Sequence, residues 1–162
     1  MHKNSRRLMR DLLRRIYSPG LSVLDVGSRD VNGTYRPIVE GYGMKYTGLD
    51  AEAGPNVDLI SSAYDLPMCQ FDIVISGQTL EHLTQPHKAV EEMKRVCRPG
   101  GWVVLIAPFT FVEHRYPIDC WRFLPDGMRF MLAGFEDVES QIVNMDCYGI
   151  GRKPCGPLAA TA

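Results

Sequence analysis

The chain begins with a helical stripe and then changes rhythm. Between about Ser5 and Tyr17, Leu8, Met9, Leu12, Leu13 and Ile16 recur at helical spacing, and Arg6, Arg7, Arg10, Arg14 and Arg15 fill most of the other positions. This predicts a basic amphipathic helix, stopped by Ser18-Pro19-Gly20. Beyond it the apolar residues come in short runs, over residues 21–26, 46–50, 57–60, 71–76 and 102–107. Runs of that length with little alternation read as strands buried on both faces, as in a parallel sheet covered by helices. The run 102–107 is the most continuously apolar and is expected well inside the sheet. Helical spacing returns over 86–97, with Ala89, Val90, Met93 and Val96 inward, and stops at Arg98-Pro99-Gly100-Gly101. Shorter helices are expected from a Thr34 cap to about Gly41-Tyr42-Gly43 and over 125–133. The last two runs, 135–143 and 146–152, read as a closing antiparallel pair, and the fold class is α/β.

Length and composition change this picture little. The chain has 162 residues, 45% of them apolar and 23% charged, which suits one globular domain with a three-layer core. The organisation expected is a basic cap helix over 1–20, one α/β domain over 21–153 and a disordered tail over 154–162. A net charge of −1 gives no global attraction to nucleic acid or anionic membrane, so such contacts would need a local patch. No apolar run approaches the ~20 residues of a bilayer span, and no secretory signal core follows Met1. Five cysteines without a C-x-x-C pair indicate neither a zinc site nor a disulfide framework, and point to free thiols in a reducing cytoplasm.

The chemistry gathers at the carboxyl ends of the expected strands, where an open α/β sheet binds its ligands. The first run ends in Asp25-Val26-Gly27-Ser28-Arg29, and the second ends on Asp50 beside Ala51, where a carboxylate can accept hydrogen bonds from ribose hydroxyls. Asp25-Val26-Gly27, Asp50, 71–76, Leu80-Glu81-His82 and Arg98-Pro99-Gly100-Gly101 resemble, in order, the motifs of class I S-adenosylmethionine-dependent methyltransferases, over about residues 21–152. The resemblance implies a Rossmann-like, doubly wound, mostly parallel seven-stranded sheet with a closing antiparallel strand, and S-adenosyl-L-methionine as cofactor. It places Asp25, Gly27, Ser28 and Arg29 at the first loop and Asp50 and Ala51 at the ribose. Ser62, Ala63 and Tyr64 fall on the adenine side, and Ser76 and Gln78 toward the methionine end. Where relatives carry glycines, this chain has Arg29 and Val31; Arg29 is either a partner of the cofactor's carboxylate or a solvated loop charge.

The connection after the fifth run, 108–123, is rich in aromatic and charged residues and resembles a loop of bacterial methyltransferases that act on sugars and glycans. His114 and Asp119 are the candidate bases, His82 and its neighbour Glu81 an acid/base pair nearby, and Tyr116, Trp121 and Arg122 candidate walls for an acceptor. The alternative is a packed loop in which Trp121 and Phe123 bury themselves and His114 is a spacer. A sulfonium methyl is already activated, so no metal is expected. The acceptor favoured is a hydroxyl of a small molecule, sugar or glycan. An RNA or protein substrate gripped by the arginine helix, and a non-catalytic cofactor-binding module, stay open as alternatives. So little chain remains for a lid that the site is expected either to be open or to be completed by a second subunit in a homodimer.

Overall fold

The computed structural model describes residues 3–156, so most of the expected tail, from 157 on, lies outside the described residues. Helix α1 (Lys3–Ile16) precedes β1 (Ser22–Val26), α2 (Arg36–Gly41), β2 (Lys45–Asp50), β3 (Leu59–Ile60) and β4 (Phe71–Gly77). A single 3-10 turn (Leu80–His82), α3 (Pro86–Val96), β5 (Cys97–Pro108), α4 (Pro125–Met131), β6 (Glu136–Val143) and β7 (Asp146–Arg152) complete the order. The strands form one seven-stranded sheet in the order β3-β2-β1-β4-β5-β7-β6. Every pairing up to β4–β5 is parallel, and β7 runs antiparallel to both β5 and β6.

Period-two geometry divides the apolar runs between two cores. Leu24, Val74, Val103 and Leu105 face α3 and α4, whereas Val23, Ile73, Val104 and Ile106 face α1 and α2. The stripe read from the sequence on α1 is the buried one: Leu8, Met9, Leu12 and Leu13 join the second core while Arg7, Arg10, Arg14 and Arg15 stay exposed. The helix is tied to the domain by a 2.5 Å hydrogen bond between the Ser5 and Tyr35 hydroxyls, both buried, and by the Arg15–Glu139 ion pair. Tyr35 in turn lies against Gly77, where an added Cβ would sit 2.1 Å from the phenol oxygen.

Three local expectations are corrected. Arg98-Pro99-Gly100-Gly101 is not a free turn between helix and strand: Cys97 pairs with Phe71 and Trp102 with Ile73, so these four residues form a bulge inside β5, with Gly100 at φ 76°. Lys153 donates to the carbonyls of Lys94 and Cys97 at 2.7 Å and so closes the end of α3 beside that bulge. Thr34 accepts from the Arg36 N–H, but Tyr35 holds the cap position of α2 with no side-chain cap bond. The third strand shrinks to two residues, Leu59 and Ile60, paired with Leu49 and Asp50.

Candidate functional site

A cleft of about 770 Å³ runs along the carboxyl ends of β1, β2 and β4, large within the ~300–1,000 Å³ range of small-molecule sites. Gly27, Arg29, Asp50, Ala51, Ser62, Ala63, Tyr64 and Gln78, all expected from the sequence, line it, and so do His82 and His114. Val31, Tyr64, Arg115 and Tyr116 on its rim are exposed, so the cleft is open on that side.

One end is built from backbone. At Gly27 the chain leaves β1 with φ 83°, and a Cβ there would fall 2.1 Å from the Thr79 hydroxyl, so both conformation and space demand glycine. The Asp50 carboxylate is fixed by the N–H groups of Arg29 (3.1 Å) and Glu52 (3.2 Å), one on each oxygen. Each oxygen thereby keeps a lone pair for a ligand hydroxyl. Arg29 reaches across the same turn to the Glu52 carboxylate, so its charge is answered within the protein.

Three residues expected at the cofactor do not line the cleft. Asp25 is buried, and its Oδ2 accepts the Tyr46 hydroxyl at 2.5 Å. Burial pushes its pKa up to about 7, against the stabilising Tyr46 bond. Ser28 donates to the Asn56 carbonyl and Ser76 to the Val26 carbonyl. These side chains brace the loop after β1 from behind. Asn56, which the sequence reading passed over, links the brace: its side-chain amide donates to the Ser28 carbonyl (2.7 Å) and to the Tyr46 hydroxyl (2.8 Å). Its φ of 71° is a turn signal that Pro55-Asn56 offered. Thr79 carried no comparable signal.

The other end is built from side chains. Gln78 turns the chain out of β4 at φ 58°, and its side-chain amide donates to Asp146 at 3.0 Å. The 3-10 turn then presents Glu81 and His82, and the long connection 109–124 folds back onto it, with the Cys120 N–H donating to the Glu81 carbonyl at 2.8 Å. His82 Nδ1 lies 2.6 Å from the Ile118 carbonyl, which makes Nδ1 the protonated nitrogen and leaves Nε2 with its lone pair. Burial pushes the pKa of His82 down. His114 Nδ1 lies 3.3 Å from Asp119 Oδ2 and 3.2 Å from the Val112 carbonyl, so its Nε2 is likewise the open nitrogen. The two rings meet edge to face at 5.0 Å.

Asp119 itself does not reach the cleft. Its side chain is 1% exposed, accepts the His114 N–H at 2.8 Å and is gripped by both Arg122 terminal nitrogens at 2.6 and 2.8 Å. The Arg122 guanidinium holds the carboxyl well below the usual carboxylate range, so Asp119 orients His114 rather than accepting a proton itself. Arg122 also donates to the Phe111 carbonyl, which makes it the clip of the loop and not a wall of the cleft. Trp121 does not line the cleft and donates to the carbonyl of Leu83, which does; Phe123 is buried, and Tyr116 lines the cleft. Glu81, fully buried, has no hydrogen-bond partner on either carboxylate oxygen, and burial pushes its pKa up to about 8.

Comparison with known proteins agrees with this geometry. Residues 24–105, half of the chain, match the family model described as a methyltransferase domain. The chain is 29% identical over 154 residues to 2-methyl-6-phytyl-1,4-hydroquinone methyltransferase 1 of Oryza sativa, covering 82% of this chain and 46% of that protein. It spans about half or less of the length of the first curated relatives it matches. The Burkholderia thailandensis 1,6-didemethyltoxoflavin-N1-methyltransferase superposes with a TM-score of 0.75 at 17% identity, over 93% of this chain and 78% of that one. The [4+2]-cyclase SpnF superposes with a TM-score of 0.69 at 20% identity, over 93% and 81%, so this fold hosts more than one chemistry. Sheet order, strand-end cleft and family match together identify the chain as a member of the methyltransferase-domain family.

Proposed function

We propose that the cleft binds S-adenosyl-L-methionine at its backbone-built end and methylates a hydroxyl of a small molecule or sugar held at its histidine end. The observation that carries this reading is the continuity of one cleft from the Asp50 carboxylate to the Nε2 atoms of His82 and His114. The residues present suit the cofactor: Asp50 keeps lone pairs for two ribose hydroxyls, and no Cβ blocks approach to the Gly27 backbone. Ser62, Ala63 and Tyr64, which line the same cleft, are the proposed adenine contacts. When bound, the cofactor supplies an activated sulfonium methyl. The chain's own share is to align the acceptor and to remove its proton. Phe111 and Tyr116 offer flat apolar faces beside the imidazoles, suited to an aromatic ring or the face of a sugar. His82 Nε2 and His114 Nε2, the ring nitrogens left open by the Nδ1 contacts, are the proposed proton acceptors, and Asp119 stabilises the imidazolium of His114 after proton transfer.

The test is transfer of labelled methyl from the cofactor to a panel of phenols, hydroquinones and sugars. Methylation of one hydroxyl class, with stoichiometric S-adenosylhomocysteine, is the expected result. Cofactor binding without transfer to any hydroxyl would overturn the acceptor assignment, and absence of cofactor binding would overturn the whole reading.

A further inference from the structure

Three ligand atoms converge where the 3-10 turn meets the long connection. His82 Nε2 lies 3.7 Å and His114 Nε2 3.9 Å from Glu81 Oε1, and all three atoms fall within 4.8 Å of one another. Both imidazoles are tied through Nδ1, to Ile118 and Val112 carbonyls and to the Asp119 carboxylate, so both point an Nε2 lone pair inward. Between those lone pairs stands a buried carboxyl group with no hydrogen-bond partner. A buried carboxyl with no hydrogen-bond partner is costly, and its ionised form facing two imidazole lone pairs is repelled by them. A positive charge at their centre removes both penalties.

We propose that Glu81, His82 and His114 form a binding site for one divalent transition-metal ion, with its remaining coordination positions open to the cleft. Two imidazoles and one carboxylate suit zinc(II), cobalt(II) or iron(II) rather than magnesium or calcium, which prefer all-oxygen shells. With zinc bonds of ~2.0–2.2 Å, tetrahedral ligands sit about 3.3 Å apart, so each imidazole approaches Glu81 by about half an ångström on binding. The Arg122–Asp119–His114 chain supplies the second shell that such a ligand needs, and the Ile118 carbonyl does the same for His82. The open positions face His82 and His114's side of the cleft, where the proposed acceptor lies. On that reading of the cleft, which this role requires, the ion would draw in the acceptor oxygen and lower its pKa so that its proton passes to solvent water, and in the metal-loaded protein His82 and His114 serve as ligands and not as the base. In the sequence His114 stands 32 positions after His82, too far for the three ligands to announce themselves.

Cobalt(II) is the probe. The whole chain, stripped with a chelator, is titrated with cobalt(II), followed by its visible d–d absorption and by competition with a chromophoric chelator. One ion per chain, displaced by zinc(II), is expected. Glu81→Gln and His114→Gln should each weaken it at least tenfold with far-UV circular dichroism and cofactor affinity unchanged. His87→Gln, on the exposed face of α3, should leave it unchanged. Asp50→Ala should weaken cofactor binding by about 10–100-fold and leave affinity for the ion unchanged, which separates failure of this site from failure of the methyl-transfer reading. No stoichiometric cobalt, binding undiminished in both variants, or a thiolate charge-transfer band abolished by Cys120→Ser would each overturn the proposal.

Discussion

The two ends of the cleft are made of different material. At Gly27 and Asp50 the geometry is set by main-chain groups within about one turn of the strand ends, and the Asp50 side chain is pinned by two neighbouring N–H groups. At His82 and His114 it is set by side chains from distant segments, locked through Ile118, Asp119 and Arg122. Backbone-built sites hold their shape whatever the neighbouring side chains are. Side-chain-built sites can be re-cut without disturbing the sheet. The cofactor end is thus the fixed half of the proposed enzyme, and the acceptor end the variable half.

This division can be tested from the strongest effect downward. His114→Ala should lower kcat by about 10²–10⁴, roughly 3–5 kcal/mol of transition-state stabilisation, while leaving cofactor affinity within about twofold. A parallel loss of cofactor affinity in calorimetry would collapse the distinction between the ends. Gly27→Ala combines a left-handed φ with a 2.1 Å clash against Thr79, and should cost roughly 2–5 kcal/mol of stability in urea unfolding. Pairing it with Thr79→Ala removes the two nearest clashing atoms and should recover much of the steric part, leaving the 2.8 Å approach of the residue 79 Cβ and the conformational ~1–2 kcal/mol. Asp50→Ala should weaken cofactor binding by about 10–100-fold, the worth of one charged hydrogen bond of ~1.5–3 kcal/mol, with the melting temperature little changed. Unaltered affinity would remove the ribose assignment.

The gentlest change for the cleft is Asp25→Asn, behind it. The pKa of Asp25 is raised from 3.8 to about 7 in the folded protein, so between those values the native state keeps a proton that the unfolded chain releases. Its contribution to stability is complete below pH 4 and is lost as pH climbs through 7. Asparagine cannot ionise, and its carbonyl still accepts the Tyr46 hydroxyl. The variant should therefore gain on the parent steadily from about pH 4 to 7 and level off above. Equal melting profiles at all pH values would show that the carboxyl is not held protonated.

The same division decided how far the sequence could be read. Strand runs, the stripe of α1 and the acidic tip at Asp50 are local signals, and each corresponds to an element of the sheet, its covering helix or the cleft. Asp25 was read as a ligand because an acid at a strand end and an acid buried behind it look alike in one dimension. Only the contact with Tyr46, 21 positions away, separates them. Arg98-Pro99-Gly100-Gly101 carries the composition of a turn, yet cross-strand pairing of Cys97 and Trp102 absorbs it as a bulge. Glu81 is the largest gap. A Glu-His pair on a short turn gives no hint that its carboxylate will be sealed off and faced by a second imidazole from beyond β5.

Gly27 and Thr79 touch where the loop after β1 meets the loop after β4. With no room for even a methyl group between them, neither loop can shift without pushing the other. Sequence drift at these two positions is therefore locked together: the threonine can shrink but not grow, and the glycine can do neither alone.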